Sequence, residues 1–306
     1  MSSSPFILYH YPASPYAEKV RLLAGYLGVR WQSAEVPIQP PRDQLAILAG
    51  GYRRIPVMQC GADVFCDTAI ICDEVISQAD RDLASCSEAA LELAKRSETD
   101  VFFAAIRQGW QLKTAIGLTV MLGFKGMLAF AKDRASFAQG HGPAAQTPDV
   151  ARSVFSLFLR DLDQMLVSQS YLGGDAPSLS DFCCYHPIFL AQGFKSIKES
   201  TLPAGVKAWM ARMAGFGWGQ YSAVSSDEAM AAAKVREPRP LPEGSADHPE
   251  VGQWVTVTPL DTGRVPVTGA LVSRSETRII VARRSADVGL CHVHFPVSGF
   301  ECSVIN

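Results

Sequence analysis

Strand and helix patterns alternate across the first eighty residues in an order that few folds accept. Residues 6–9 are a short apolar run of strand formers. Pro15–Leu27 then carries Val20, Leu23, Ala24 and Leu27 at the three–four spacing of a buried helix face. Residues 30–36 read as a second strand, broken by Pro37, Pro40 and Pro41, and a short helix over 42–48 ends at Gly50 and Gly51. Val57–Cys60 and residues 63–65 flank the Gly61-Ala62 turn as a hairpin. Asp67-Thr68 opens a third helix whose apolar positions are Ala69, Ile70, Ile71, Val75 and Ile76. The order β-α-β-α-β-β-α implies a sheet with helices on its faces, the α/β class.

Chemistry concentrates where these elements meet. Ser14 stands where the first strand hands over to a helix. Its hydroxyl can cap the unpaired N–H groups of the first turn, and Pro15 suits the first helical position. Backbone donors and the positive end of the helix dipole converge there, so an anion such as a thiolate is favoured. Ile55-Pro56 precedes the hairpin, a place where a cis bond turns the Ile55 N–H and C=O towards an extended peptide. A carboxylate and a hydroxyl at a helix start, Asp67 and Thr68, suit the ammonium and carboxylate ends of an amino acid.

Three strings, Ser14-Pro15-Tyr16-Ala17-Glu18-Lys19-Val20-Arg21, Arg54-Ile55-Pro56-Val57 and Asp67-Thr68-Ala69-Ile70-Ile71, resemble in order and spacing the N-terminal domain of cytosolic glutathione transferases. The resemblance covers roughly residues 6–230. It implies a thioredoxin-like domain over 1–83 and an all-helical domain over 84–235 on the acceptor-substrate side. It also implies a cytoplasmic homodimer that takes glutathione as co-substrate and acts on a small hydrophobic electrophile. Ser14 becomes the thiolate's hydrogen-bond donor, with Tyr11 as second choice and Tyr9 also weighed. Ile55 and Pro56 form the peptide-binding loop, Asp67 and Thr68 hold the γ-glutamyl end, and Arg54 reaches a ligand carboxylate. Asp67 stands where the family usually has Glu, one methylene longer. Serine rather than cysteine at 14 argues against mixed-disulfide chemistry. An isomerase, lyase or dehalogenase on the same scaffold, or a binding or assembly protein without turnover, are the alternative readings.

Composition narrows the remainder. A net charge of −2 over 306 residues, without a run of five like charges, gives no reason to expect nucleic acid as a partner. Eight scattered cysteines without a Cys-x-x-Cys pair suit a reducing compartment and free thiols. No basic, apolar leader opens the chain, and residues 115–131 are too short to span a bilayer, so they read as a buried helix and no membrane is expected.

Helical spacing recurs at Leu91, Ala94, Val101, Phe102, Ala105 and Ile106, and again at Val150, Val154, Leu157, Phe158, Leu162 and Met165. The loop 140–143 separates the two runs. Phe102, Phe103, Trp110, Phe124 and Phe130 read as helical core, with some members free to line an acceptor pocket. Ser178 and Asp181 form a capping-box pattern, a folding role. Strand signals vanish from Ser87 to about Lys234.

Residues 237–245 are a proline-rich linker. Period-two runs over 254–257, 265–272, 278–282, 290–295 and 300–305 follow it, with Asp261-Thr262-Gly263 as one of the turns. Together they predict a separate small all-β module, barrel-like, over 247–306, which is outside the transferase pattern and docked without a part in thiolate activation. His292 and His294 share one strand face and read as polar surface; a third metal ligand is not identifiable, and no metal is expected.

Overall fold

The computed structural model describes residues 5–109, 112–138, 146–242, 244 and 247–305. Trp110 and the loop 140–143 lie outside them. The chain forms two compact units, one of Met1–Pro12, Val29–Gln78 and Gln220–Asn306, the other of Ala13–Gly28 and Ala79–Gly219.

The first unit is built on one sheet. Strand β1 (Phe6–His10) pairs in parallel with β2 (Trp31–Glu35) and antiparallel with β3 (Val57–Cys60), which pairs antiparallel with β4 (Asp63–Cys66). Helices α2 (Asp43–Ala49) and α3 (Thr68–Ser77) complete the thioredoxin-like order. All four residues of β4 are buried, which an edge strand cannot achieve without cover.

The cover comes from the far end of the chain. Strands β6 (Trp254–Pro259), β7 (Val267–Arg274), β8 (Arg278–Ser285), β9 (Gly289–Pro296) and β10 (Phe300–Val304) form an antiparallel set. Within it β9 pairs in parallel with β4, matching Asp63 to His292, Val64 to Val293 and Phe65 to His294. The result is one ten-stranded sheet, and its apolar core mixes Ile7, Val57 and Val64 with Val257, Leu271, Val281 and Val293.

Here the structure differs from the sequence expectation. Residues 247–306 do not close a barrel of their own but extend the thioredoxin-like sheet. The physical reason is the buried edge of β4, which needs a strand to pair its backbone, together with the near-continuous burial along β9 that marks a strand covered on both faces. His292 and His294, expected on a polar surface, are 9% and 5% exposed at this seam.

The stretch from Ser87 to Lys234 also holds a strand, β5 (Tyr221–Ala223), parallel to β2. Three exposed residues offer no alternation to read. Helix α10 (Ser226–Lys234) belongs to the same unit and carries its fully buried Ala229 and Ala233 into the sheet's core.

The second unit is helical: α1 (Pro15–Leu27), α4 (Glu88–Glu98), α5 (Asp100–Gly109), α6 (Leu112–Phe137), α7 (Pro148–Met165), α8 (Leu179–Gly193) and α9 (Ala204–Ala214). Asp181, wholly buried, anchors it. One oxygen accepts the Ser178 N–H at 2.8 Å and its hydroxyl at 2.9 Å; the other accepts the Leu172 N–H and the Trp209 indole N–H, both at 2.8 Å. Gly25 is required by close approach, since a Cβ there would stand 2.2 Å from the Gly217 carbonyl oxygen.

Helix α6 corrects the expectation of a buried helix. Val120, Phe124 and Leu128 are 83%, 67% and 50% exposed, and Gly123 at φ 71° interrupts the helical backbone between them. At these three positions the run is apolar without being covered, because an apolar helix circumference exceeds what one packed face takes up. No described helix is long and apolar enough to cross a membrane.

Candidate active site residues

Ser14 belongs to the helical unit. It is 1% exposed and sits at the N-cap of α1 with extended backbone, φ −73° and ψ 117°. Its Oγ accepts the Ala17 N–H at 3.2 Å. An oxygen that accepts in this way keeps its own proton to donate, and the accepted bond polarises that O–H. The rest of α1 is held by charge inside the same unit. Lys19, 3% exposed, donates to Glu98 at 2.8 Å, and the imidazole Nε2 of His186 lies 3.1 Å from the same oxygen. Burial alone would raise the Glu98 pKa, but Lys19 and His186 hold it well below the usual carboxylate range. Arg21 forks onto Glu18 at 3.0 and 2.6 Å and lies over the Trp218 ring. Tyr16, two residues past the cap, packs its ring 4.6 Å from Phe102 and 4.6 Å from His186, so the first turn of α1 presents an aromatic wall.

The remaining predicted residues lie in the sheet unit. Tyr11 follows β1 and is half-buried. Tyr9 is not available as a donor to a ligand, because its hydroxyl is buried and donates to Gln59 Oε1 at 2.6 Å. Burial also pushes its pKa well above the usual phenol value. Ile55-Pro56 is a cis peptide, and the Ile55 N–H and C=O make no backbone hydrogen bond among the described residues outside the strand ladders. Arg42, which the sequence did not single out, ties this loop down. Its guanidinium donates to the carbonyls of Pro37 at 2.8 Å, Ile38 at 2.6 Å and Arg53 at 3.0 Å.

Asp67 is the N-cap of α3 and holds φ at 92°, a region that costs a non-glycine residue energy and persists where surrounding structure enforces it. One of its oxygens accepts the Ala69 N–H at 3.0 Å; the other lies 3.6 Å from Nη1 of Arg54. Thr68 opens the helix beside it, 6% exposed. The structure therefore brings Arg54, Asp67 and Thr68 together at one helix N-terminus.

It also brings residues that the sequence did not connect to this place. Arg54 donates through Nε and Nη2 to the Thr262 carbonyl at 3.0 and 2.6 Å, and Nη2 also pairs with Asp261. Phe300 lies under the guanidinium, 5.7 Å from ring centroid to Cζ. Asp261-Thr262-Gly263 was legible only as a turn. No local signal links it to Arg54, more than two hundred residues away. A cavity of about 310 Å³ lies elsewhere on this unit, at Glu35, Pro41, Arg42, Gln44 and Ser226, and none of the sequence-predicted site residues lines it. Among the described residues no cluster of three or more His, Cys, Asp or Glu is arranged to hold a metal ion.

Residues 8–82 match the family described as glutathione S-transferase, N-terminal domain. Among solved structures, a GST-like protein from Pseudomonas syringae aligns at 27% identity over 100% of this chain and 100% of its own, with a TM-score of 0.77. A glutathione S-transferase III in its apo form aligns at 21% identity over 78% of this chain and 100% of its own, TM-score 0.47. A glutathione S-transferase from Sinorhizobium meliloti aligns at 20% over 69% and 88%, TM-score 0.47. No curated protein sequence matches the chain. Because the Pseudomonas syringae alignment runs the full length of both chains, the C-terminal strands are part of what those two share.

Proposed function

We propose that this protein is a glutathione transferase: it binds glutathione through its thioredoxin-like part and activates the sulfur as a thiolate for attack on a small hydrophobic electrophile. The observation that carries the reading is the match of residues 8–82 to the glutathione S-transferase N-terminal domain, a stretch that contains all three strings resembling that family. Local structure supports it residue by residue. Ser14 caps α1 with its proton left to give, Ile55 has its peptide groups outside any ladder, and Asp67 with Thr68 opens α3 in a strained cap.

The chemistry follows from the thiol. Free thiols have a pKa near ~8.5, so only a few per cent are ionised at neutral pH. A hydroxyl donor at a helix N-terminus favours the anion over the thiol, and each unit of depression raises the reactive fraction nearly tenfold until it saturates. Ser14 acts in this reading as a hydrogen-bond donor to sulfur and forms no covalent bond. The sulfur then adds to, or displaces a leaving group from, an electrophilic carbon. The Tyr16–Phe102 wall beside the cap supports an apolar electrophile. Calorimetric titration of the full chain with glutathione tests the first half: saturable binding is expected, and its absence at millimolar concentration would rule the reading out. Turnover against a panel of aromatic and alkyl halides, enones and epoxides tests the second half. Binding without any turnover would leave a glutathione-binding protein in place of a transferase.

A further inference from the structure

Residues 50–56 join α2 to β3 and end in the cis Ile55-Pro56 peptide. They form neither helix nor strand, so their shape depends on what the surrounding side chains and carbonyls hold in place. Strands from the far end of the chain hold this segment at three points. At its start the Arg283 side chain of β8 crosses Gly50. Its Nη1 donates to the Ile47 carbonyl at 3.4 Å, and a Cβ on Gly50 would stand 2.3 Å from that nitrogen. In the middle Tyr52, 3% exposed, lays its ring against Phe295 of β9 and Phe300 of β10, with centroids 6.0 and 6.3 Å apart.

The third point is Arg54. Its Nε and Nη2 donate to the Thr262 carbonyl at 3.0 and 2.6 Å, and Nη2 also pairs with Asp261. Nη1 lies 3.6 Å from an Asp67 oxygen, and Phe300 lies under the guanidinium. Thr262 is 6% exposed, so the main acceptor is itself fixed in the turn between β6 and β7. All three guanidinium nitrogens therefore face protein oxygens, and a ligand carboxylate arriving at Arg54 would have to displace one of them. Arg54 immediately precedes Ile55, whose N–H and C=O make no backbone hydrogen bond outside the strand ladders among the described residues. Hydrogen bonds weaken steeply with misalignment, so the anchor of residue 54 sets how well the next peptide can bond a ligand.

We propose that Arg54 is a positioning residue and not a ligand group. Tied to the Asp261-Thr262 turn, it holds the Ile55-Pro56 peptide in the pose that meets the backbone of glutathione. The C-terminal strands thereby become a working part of that site, although they lie outside the matched residues 8–82. The inference rests on the glutathione reading above and deepens it.

The test is a double-mutant cycle read by calorimetric titration with glutathione. It compares the parent chain, Arg54→Met, Asp261→Ala and the double variant, each shown to be folded by a cooperative thermal transition. Arg54→Met is expected to weaken glutathione about tenfold, as the loop loses its fork onto Thr262. Asp261→Ala is expected to weaken it about threefold, the scale of a half-exposed ion pair. The double variant is expected to lie within about twofold of Arg54→Met, because Asp261 acts only through Arg54. Unchanged affinity in Arg54→Met would overturn the proposal. So would unchanged or tighter binding in Asp261→Ala, tighter binding being the mark of an arginine freed to meet a ligand carboxylate. Full additivity in the double variant would also overturn it, since Asp261 would then act on the ligand by itself. If Arg54→Met does not fold, Arg54→Lys, which keeps the charge and loses the fork, takes its place in the same cycle with the same criteria. A parent protein that binds no glutathione would overturn this inference together with the reading under it. A parent that binds glutathione while the variants give any of the overturning results would overturn this inference alone.

Discussion

Val293→Ala separates a sheet that is one body from a sheet with a docked appendage. Val293 is fully buried at the centre of β9, paired with Val64 on β4 and Val281 on β8. Truncation to alanine removes two methyl groups, about 1.6 kcal/mol of transfer energy at roughly 0.8 per group. A residual cavity adds about 1 kcal/mol, at roughly 24 cal/mol per Å³ for a void of some 40–50 Å³. The sum is about 2–3 kcal/mol, which lowers a thermal midpoint by roughly 5–10 °C in a unit of this size. Because the core of β1, β3 and β4 is continuous with that of β6 to β10, the loss must spread across the seam. Native-state hydrogen exchange reads it directly. Amides of Phe6–His10 and Val57–Cys60 that exchange by global opening should exchange about 30- to 150-fold faster in the variant, as should those of β8 and β9. If β7 to β10 accelerate while β1 and β3 keep the parent rates, the two parts unfold separately and the reasoning fails.

Two other outcomes follow from buried charge. His294 donates Nε2–H to Asp63 at 2.8 Å, and Asp63 also accepts the Arg239 N–H at 2.9 Å. Burial depresses the His294 pKa, assisted by Arg278 and Arg239 and only partly opposed by Asp63. For Asp63, burial is outweighed by the bonds from His294 and Arg239, so its pKa also falls. Both shifts leave the unfolded chain binding more protons. Stability is therefore full above about pH 6.5, declines as pH falls through the histidine window, and declines again below about 3.8. The urea midpoint should be lower near pH ~5.5 than near pH ~7.5, and an equal or higher one would contradict the assignment. Asp181→Ala strands the Trp209, Leu172 and Ser178 donors and should cost about 3–5 kcal/mol. A loss under ~1 kcal/mol in chemical denaturation would mean those four bonds do not matter.

What was legible in the sequence was local. Ser14 before Pro15, Asp67 before Thr68, and Ser178 three residues before Asp181 are caps whose partners lie within one helical turn, so residue type and spacing suffice to place them. The helices and strands of the first eighty residues were readable for the same reason. The pairing of β9 with β4 was not, because a parallel contact across more than two hundred residues leaves no mark on either strand except continuous burial. The period-two runs after the linker predicted strands correctly but not their neighbours. Helix α6 misled for a different cause: apolar composition states a preference for burial, and Phe124 at 67% exposure shows that preference unmet within its unit. Asp261 looked like turn chemistry, and only the sheet's register carries it to Arg54.

Central to the proposed function is the Ser14 hydroxyl favouring the thiolate of bound glutathione. Ultraviolet titration of the glutathione complex measures that thiolate as pH is varied, in the parent chain and in Ser14→Ala. The apparent thiol pKa is expected at least ~1 unit below the free value of ~8.5 in the parent, returning most of the way in the variant while glutathione still binds. Bound glutathione that titrates like the free thiol in the parent, or an equally depressed pKa in Ser14→Ala, would contradict it.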